Sequence, residues 1–467
     1  MRISVGPPIL TINHSSTFMV TDLAGQIQPE GHLGIFSDDT RFLSYYACYL
    51  DGHPWTRVTS TTTTYYAAQI YLTNPTFVSR NGSTIKAGTI ALVMNRVVEE
   101  GIHEELQLTN HGLETVSFNL ELVLRSDFAD IFEIESGKQV RRGRIETQWN
   151  QEQRELATTY TNEDFYRRLI YQIRQCPCTV HSANGRIIFE VTLEPGETWQ
   201  TSANYILADN DHVRKVSDYS YAEAINPDVI NTQIERLHAD WCQSVTKVSS
   251  SNSLFEQIYQ RSVSDLGALR LFDYDAGSDI WVAAAGVPKF VTLFGRDSLI
   301  VSLQTMIVHP NFALGALHQL GQRQATEYDD WRDSEPGKIL HEIRSGELAK
   351  FQQIPHTPYY GTADATALFL ITLHEAWKWT GNESLLSDYR DVISRSLDWI
   401  DRYGDLEMAS KNTDGVPQKE LIIKAGRIRM MRSFILMVLK SKPQKRCVSF
   451  KDTPLMPGCE WQRSLTI

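Results

Sequence analysis

Apolar and polar residues alternate along the first half of the chain and fall at helical spacing along much of the second. From residue 1 to about 240, short segments rich in Val, Ile, Thr, Tyr and Phe recur at 63–73, 89–98, 103–108, 116–124 and 186–193. Turn clusters separate them, at Asp51-Gly52, Asn81-Gly82, Asn110-His111-Gly112, Asn184-Gly185 and Pro195-Gly196. β-Branched and aromatic side chains suit a pleated, half-buried surface, and no helical pattern intervenes to carry a parallel crossover. The expectation is an antiparallel β-sandwich over 1–240. Within it, the run from Asp38 and Asp39 to Leu43 reads as a charged turn entering a strand.

The periodicity changes around 225–245. Leu254, Ile258, Val263, Leu266 and Leu269 predict one helical face over 253–272, and further helices follow at 297–308, 310–325, 363–379 and 383–402. Pro310 suits a first helical position and Gly381 a C-cap. Long loops at 273–296 and 327–362 join some of these helices. Loops of that length within a compact domain are usually functional or disordered, and these carry Trp, Tyr, His, Arg and acidic residues.

With 467 residues, the chain is long enough for two or three domains with cores of their own. No apolar run reaches the roughly 18 residues of a membrane-spanning helix, so no membrane role is expected. The N-terminal segment has no long apolar stretch or small-residue cleavage site. The six cysteines are scattered, which makes no disulfide framework. Cys176-Pro177-Cys178 is too short to bridge comfortably and lacks a second pair for zinc. A reducing, cytoplasmic location is the expectation. Of 45 Lys and Arg and 56 Asp and Glu, 11 and 3 respectively lie beyond residue 415, so the tail carries +8 and the remainder −19. An acidic bulk argues against nucleic acid as a partner and suits a neutral small molecule or polysaccharide.

Candidate chemistry begins at 290–300. A strand-like run from Phe290 ends at Gly295, and Arg296 and Asp297 then open a helix. A guanidinium offers fixed donors and a carboxylate paired acceptors, a combination that grips neighbouring hydroxyls of one sugar ring. The loop from Asp333 to Asp364 adds His341, Glu342, His356, Tyr359, Tyr360 and Asp364. Flat aromatic faces beside bidentate polar groups are what a pyranose site needs. His341-Glu342 begins like a zinc-protease motif, but position 345 is Ser, so the second ligand is missing and no metal or other cofactor is expected.

Four motifs in order are Ala-Gly-Val-Pro-Lys-Phe at 285–290, Phe-Gly-Arg-Asp-Ser at 294–298, Glu-Pro-Gly-Lys-Ile at 335–339 and His-Thr-Pro-Tyr-Tyr-Gly at 356–361. They resemble bacterial glycogen-debranching proteins of the amylo-α-1,6-glucosidase type. The stretches 10–18 and 38–43 look like that family's N-terminal β domain, and the resemblance runs from about residue 8 to 404. It implies an N-terminal antiparallel β-sandwich over 1–240 followed by part of an (α/α)6 toroid over 250–405. An α-glucan or oligosaccharide would be held at the toroid's mouth. Trp281, Phe294, Tyr359 and Tyr360 would stack, Arg296 and Asp297 would hold hydroxyls, and His341, Glu342, His356 and Asp364 would line the rim. The implied chemistry is hydrolysis of α-1,6-linked glucose by an acid/base carboxylate pair, with inversion.

The chain departs from the family after residue 405. Members continue with a Gly-Trp-Lys-Asp-Ser type segment, the region supplying the general acid, and with further helices; here a basic tail follows at 416–467. Residues Lys424 to Val438 can be encoded by a base sequence that, with one C restored in front, reads Gln-Gly-Trp-Lys-Asp-Ser-Asp-Asp-Ala-Ile-Phe-His-Thr-Asp-Gly. Met430-Met431 fixes ATGATG, whose shifted frame contains an Asp codon. The expectation is a one-base frameshift between about Gly415 and Glu420, the catalytic residues missing, and a chain without hydrolase activity. A half toroid would also leave apolar helix faces uncovered. The alternatives are a non-catalytic α-glucan-binding protein, with a genuine basic tail, and a different (α/α)6 glycosidase related to glucoamylase or trehalase.

Overall fold

A computed structural model describes residues 7–29, 31–79, 82–210, 212–214, 216, 232–273 and 280–403. The tail at 416–467, with its expected frameshift, lies outside the described residues, as does Asn81. The chain divides into two compact units. The first takes Met1–Leu237 with the later segments Gly286–Val291 and Ser345–Phe351, and the second takes His238–Ala285, Thr292–Arg344 and Gln352–Ile467.

Antiparallel sheets make up the first unit. An eight-stranded sheet runs in the order Arg144–Asn150, Glu155–Asn162, Phe165–Gln175, Thr198–Asp209, Ile102–Asn110, Ile90–Val98, Ala67–Thr73, Thr56–Thr64. A five-stranded sheet runs Val180–Ala183, Arg186–Leu193, Val116–Arg125, Tyr45–Leu50, His53–Pro54. Leu92, Leu106 and Leu108 of the larger sheet share one core with Leu120, Leu122 and Phe189 of the smaller, all at most 1% exposed. Such a shared core defines a sandwich. Strict alternation shows in Phe165–Gln175, where Phe165, Leu169, Tyr171 and Ile173 point inward. Both edges of the larger sheet are polar and largely exposed, and the Thr-rich strand Thr56–Thr64 is irregular at two places, which discourages edge-to-edge pairing.

A buried ion pair sits inside this core. Arg96 and Glu104 face each other across a hairpin, 2.7 Å apart and at most 1% exposed. The Tyr46 and Tyr205 hydroxyls donate to Glu104 at 3.3 and 3.0 Å, and Arg96 donates to the Gly25 carbonyl at 2.8 Å. A buried ion pair is tolerated only when further hydrogen bonds of this kind offset its desolvation.

The expected strand over 63–73 is two strands, broken by a turn at Tyr65-Tyr66. Two tyrosines have strand propensity and no Gly or Asn marks the reversal, so the pattern reads straight through it. Asp38 and Asp39 do form the turn expected of them, both with positive φ (46° and 61°), between Gly34–Ser37 and Thr40–Leu43.

The second unit is mainly helical. A short hairpin pairs Arg270–Phe272 with Trp281–Ala283, and the principal helices are Ser253–Ala268, Gly295–Thr305, Asn311–Gln322, Ala365–Thr380 and Arg390–Tyr403. Gly381 ends Ala365–Thr380 with φ +67°, its N–H reaching the Trp377 carbonyl. Pro310 is the N-cap rather than the first helical residue. The helix expected at 383–402 is split into Ser384–Asp388 and Arg390–Tyr403, because Tyr389 turns its ring edge-on to Phe369 in the core. Gly315 is fixed by packing: a Cβ there would lie 1.9 Å from the Trp281 carbonyl oxygen.

Candidate functional site

Three stretches of the second unit come together before any side chain is considered. The backbones of Phe294, Glu342 and Tyr359 bridge in series. Gly295 N–H donates to the His341 carbonyl at 2.8 Å, His341 N–H to Tyr359 at 2.7 Å, and Arg344 N–H to His356 at 2.8 Å. Position 295 must be glycine, since a Cβ would stand 2.0 Å from the Leu340 carbonyl oxygen. The helices Gly295–Thr305 and Ala365–Thr380 therefore begin close together, a Cβ at 295 being only 3.2 Å from that of Ala365.

Glu342 is the hub of the first side-chain group. Its carboxylate accepts from His356 Nε2 at 2.9 Å and from Arg344 at 3.0 Å, and both Glu342 and Arg344 are buried. Burial alone would raise the Glu342 pKa, but hydrogen bonds and charge from His356 and Arg344 outweigh it and hold the carboxyl below its usual range. The Arg344 guanidinium lies 5.2 Å from the Phe294 ring centre. His341 stands edge-on to Phe294 and Tyr359, and His356 edge-on to Tyr359. His341 Nδ1 is buried without a hydrogen-bond partner among the described residues. Tyr359 donates its hydroxyl to Asp333 at 2.8 Å, which raises the phenol pKa.

Arg296, Thr362 and Asp364 form the second group. Arg296 Nε pairs with Asp364 at 2.6 Å, Arg296 Nη2 donates to Thr362 at 3.4 Å, and the Thr362 hydroxyl donates to Asp364. Burial would raise the Asp364 pKa, yet Thr362 and Arg296 hold it below the usual carboxylate range. The Arg296 side chain is 45% exposed and Asp364 30%, so this pair is open to solvent. Asp297 stands half-buried in the first turn of Gly295–Thr305.

The expected aromatic stackers fare differently. Trp281 is 5% exposed, its ring centre 5.4 Å from that of His309 and 6.4 Å from that of Phe312, with the Arg270 guanidinium 5.2 Å away. It is a core residue and presents no face to a sugar, a correction that its position after the apolar-poor 273–280 stretch did not signal. Tyr360 is also core, at 6% exposure, with its hydroxyl donating to the Arg323 carbonyl at 2.8 Å. Phe294 is 6% exposed and backs Arg344. Tyr359 remains half-exposed. Sequence reading missed Arg344, Thr362 and Asp333. Arg344 could have been found, because residues two apart in an extended segment share a face with Glu342. Thr362 and Asp333 reach their partners only through the loop's path.

Residues 12–204 match the family described as the N-terminal domain of (some) glycogen debranching enzymes. No curated protein matches the sequence. Among solved structures, a putative kojibiose phosphorylase from human microbiome is similar with a TM-score of 0.53 and 8% identity, over 84% of this chain and 56% of that one. The chain thus spans little more than half the length of that structure. A putative aldose 1-epimerase from Escherichia coli K12 gives a TM-score of 0.26 at 11% identity, over 43% of this chain and 99% of that chain. A galactose mutarotase-like protein from Clostridium acetobutylicum gives 0.24 at 10%, over 43% and 98%. The family match covers residues 12–204, and the likeness to the phosphorylase structure is one of fold. Among the described residues no helix is long and apolar enough to cross a membrane, and no group of three or more His, Cys, Asp or Glu could hold a metal ion.

Proposed function

We propose that this chain is an α-glucan-binding relative of amylo-α-1,6-glucosidases, with a debranching-type β domain over 1–240 and the first part of an (α/α)6 domain over 250–405. The observation that carries the reading is the family match over 12–204, joined in the same chain to the open Arg296–Asp364 pair. Arg296, Asp297 and Asp364 would hold neighbouring hydroxyls of a terminal glucose. Tyr359 would cover a C–H face, and His341, Glu342 and His356 would line the rim. Phe294, Tyr360 and Trp281 would support the site from the core.

The same electrostatics favour binding over turnover. Glu342, by His356 and Arg344, and Asp364, by Thr362 and Arg296, are both held below the usual carboxylate range, so neither is poised to donate a proton to a leaving oxygen at neutral pH. Hydrolysis of the α-1,6 linkage would need a carboxylic acid elsewhere, and the chain as written is proposed to lack the segments that supply it. Binding of glucan without hydrolysis is therefore favoured over a working hydrolase, and one experiment separates the two. The purified chain is run on gels containing branched limit dextrin and assayed for free glucose. Retardation without glucose supports binding alone, glucose release restores a working hydrolase, and migration unaffected by dextrin overturns both.

A further inference from the structure

Cys176 and Cys178 flank Pro177 just beyond the strand Phe165–Gln175. Their spacing looked too short for a bridge, but their sulfurs stand 3.1 Å apart, closer than ordinary van der Waals contact. The strand shifts register between Ile173 and Gln175, and this irregular exit lets both side chains turn the same way. The Thr201 hydroxyl donates to the Gln175 carbonyl at 2.6 Å, and Arg154 donates to the Cys176 carbonyl at 3.4 Å, which pins the loop. Both thiols are half-buried against the sandwich core. They open onto a concavity of about 640 Å³, lined also by Glu190, Trp199 and Gln200.

We propose that Cys176 and Cys178 form a thiol–disulfide exchange site that takes a low-molecular-weight disulfide from this concavity, with Cys176 attacking and Cys178 resolving. The Cys176 thiolate attacks one sulfur of the disulfide, forming a mixed disulfide and releasing one thiolate. Cys178 then loses its proton to solvent and attacks the Cys176 sulfur, which closes the 176–178 bond and expels the second thiolate. Two electrons pass from the pair to the small disulfide, and two small thiols leave once protonated. The two sulfurs are close enough to share one proton, and either can donate it. Cys176 attacks in the arrangement in which Cys178 keeps the proton and donates it, which lowers the Cys176 pKa to about 7 and pushes Cys178 up. Cys48 is buried and its thiol is pushed up by desolvation, so it is no competitor. Cys242 is exposed and serves as an internal control.

The test treats the reduced full-length protein with oxidised glutathione, alkylates remaining thiols, and maps peptides by mass spectrometry without reduction. The expected product is a 176–178 disulfide that resists alkylation, formed with a rate rising through about pH 7. Cys178→Ser should accumulate glutathione on Cys176, and Cys176→Ser should react at Cys178 roughly 10-fold or more slowly. The hydroxyl in Cys178→Ser keeps the donor, so misfolding is not expected, and unchanged circular dichroism would check this. The proposal is overturned if 176 and 178 stay alkylatable while Cys242 takes up glutathione, or if the two serine variants react at equal rates.

Discussion

At the residue scale, Glu342 shows how one side chain sets the character of its neighbours. Its carboxylate is shared between His356 and Arg344 inside a buried setting. Arg344→Ala would strand that charge, and a loss of about 3–5 kcal/mol in unfolding free energy is expected from denaturant titration. The Glu342 pKa is depressed in the folded state, so its contribution is present above the ordinary carboxyl range and lost as pH falls through the folded value. Wild type should therefore lose stability on acidification more steeply than Glu342→Gln, and parallel curves would refute this. Asp364→Ala leaves Arg296, 45% exposed, without its carboxylate. If the pair grips sugar hydroxyls, maltooligosaccharide affinity should drop roughly 10-fold, about 1.4 kcal/mol, with little change in melting temperature. Arg296, Asp297 and Glu342 were legible as candidates because charged residues beside glycine and apolar runs stand out. The burial of Trp281 and Tyr360 was not, since an aromatic side chain reads the same whether it faces a ligand or a core.

At the element scale, the short helix Ile131–Ser136 is held by one aspartate with two duties. Asp130 caps it in a box with Glu133 and also accepts the Leu348 N–H at 3.1 Å, within the first unit. Burial raises its pKa from 3.8 to about 7, against the lowering by those backbone donors. A carboxyl with a raised folded pKa stabilises most below its unfolded value, and that contribution is lost as pH rises towards 7. The midpoint of urea unfolding should thus fall between about pH 4 and pH 7 in wild type, and fall less in Asp130→Asn. Helix packing has an equally specific point at Gly315. Gly315→Ala must push Asn311–Gln322 off the Trp281 backbone, and a loss of at least about 2 kcal/mol is expected. An unchanged melting temperature would show that the helix slides freely. The principal helices from Ser253 on were legible from their periodicity to within a few residues, whereas Ile131–Ser136 and Gln233–Ser244 were not anticipated. The break at Tyr389 and the hairpin turn at Tyr65-Tyr66 were not, because both depend on where a ring packs rather than on local propensity.

For the molecule as a whole, the first unit borrows chain from far along the sequence. Glu347, 3% exposed, accepts from Asn162 at 2.8 Å and from the Tyr160 hydroxyl at 2.5 Å, and pairs with Arg142 at 3.4 Å. A fragment ending at residue 237 keeps the sandwich core but loses these partners. It should fold cooperatively, with a lower denaturant midpoint than the same unit has in the full chain, and an unfolded fragment would show that Ser345–Phe351 is required. The alternation of the first 240 residues determined an antiparallel sandwich, and the later 3.6-residue period determined helices, because burial of one face imposes those periods directly on sequence. The charge swing beyond residue 415 was likewise written in the sequence alone. Tertiary structure alone decided that Phe294, Glu342 and Tyr359 lie side by side and that Arg296 meets Asp364 across 68 positions. It also decided that residues 345–351 complete a domain begun more than three hundred residues earlier. No local period encodes such meetings; they depend on which surfaces remain to be buried once the elements have formed.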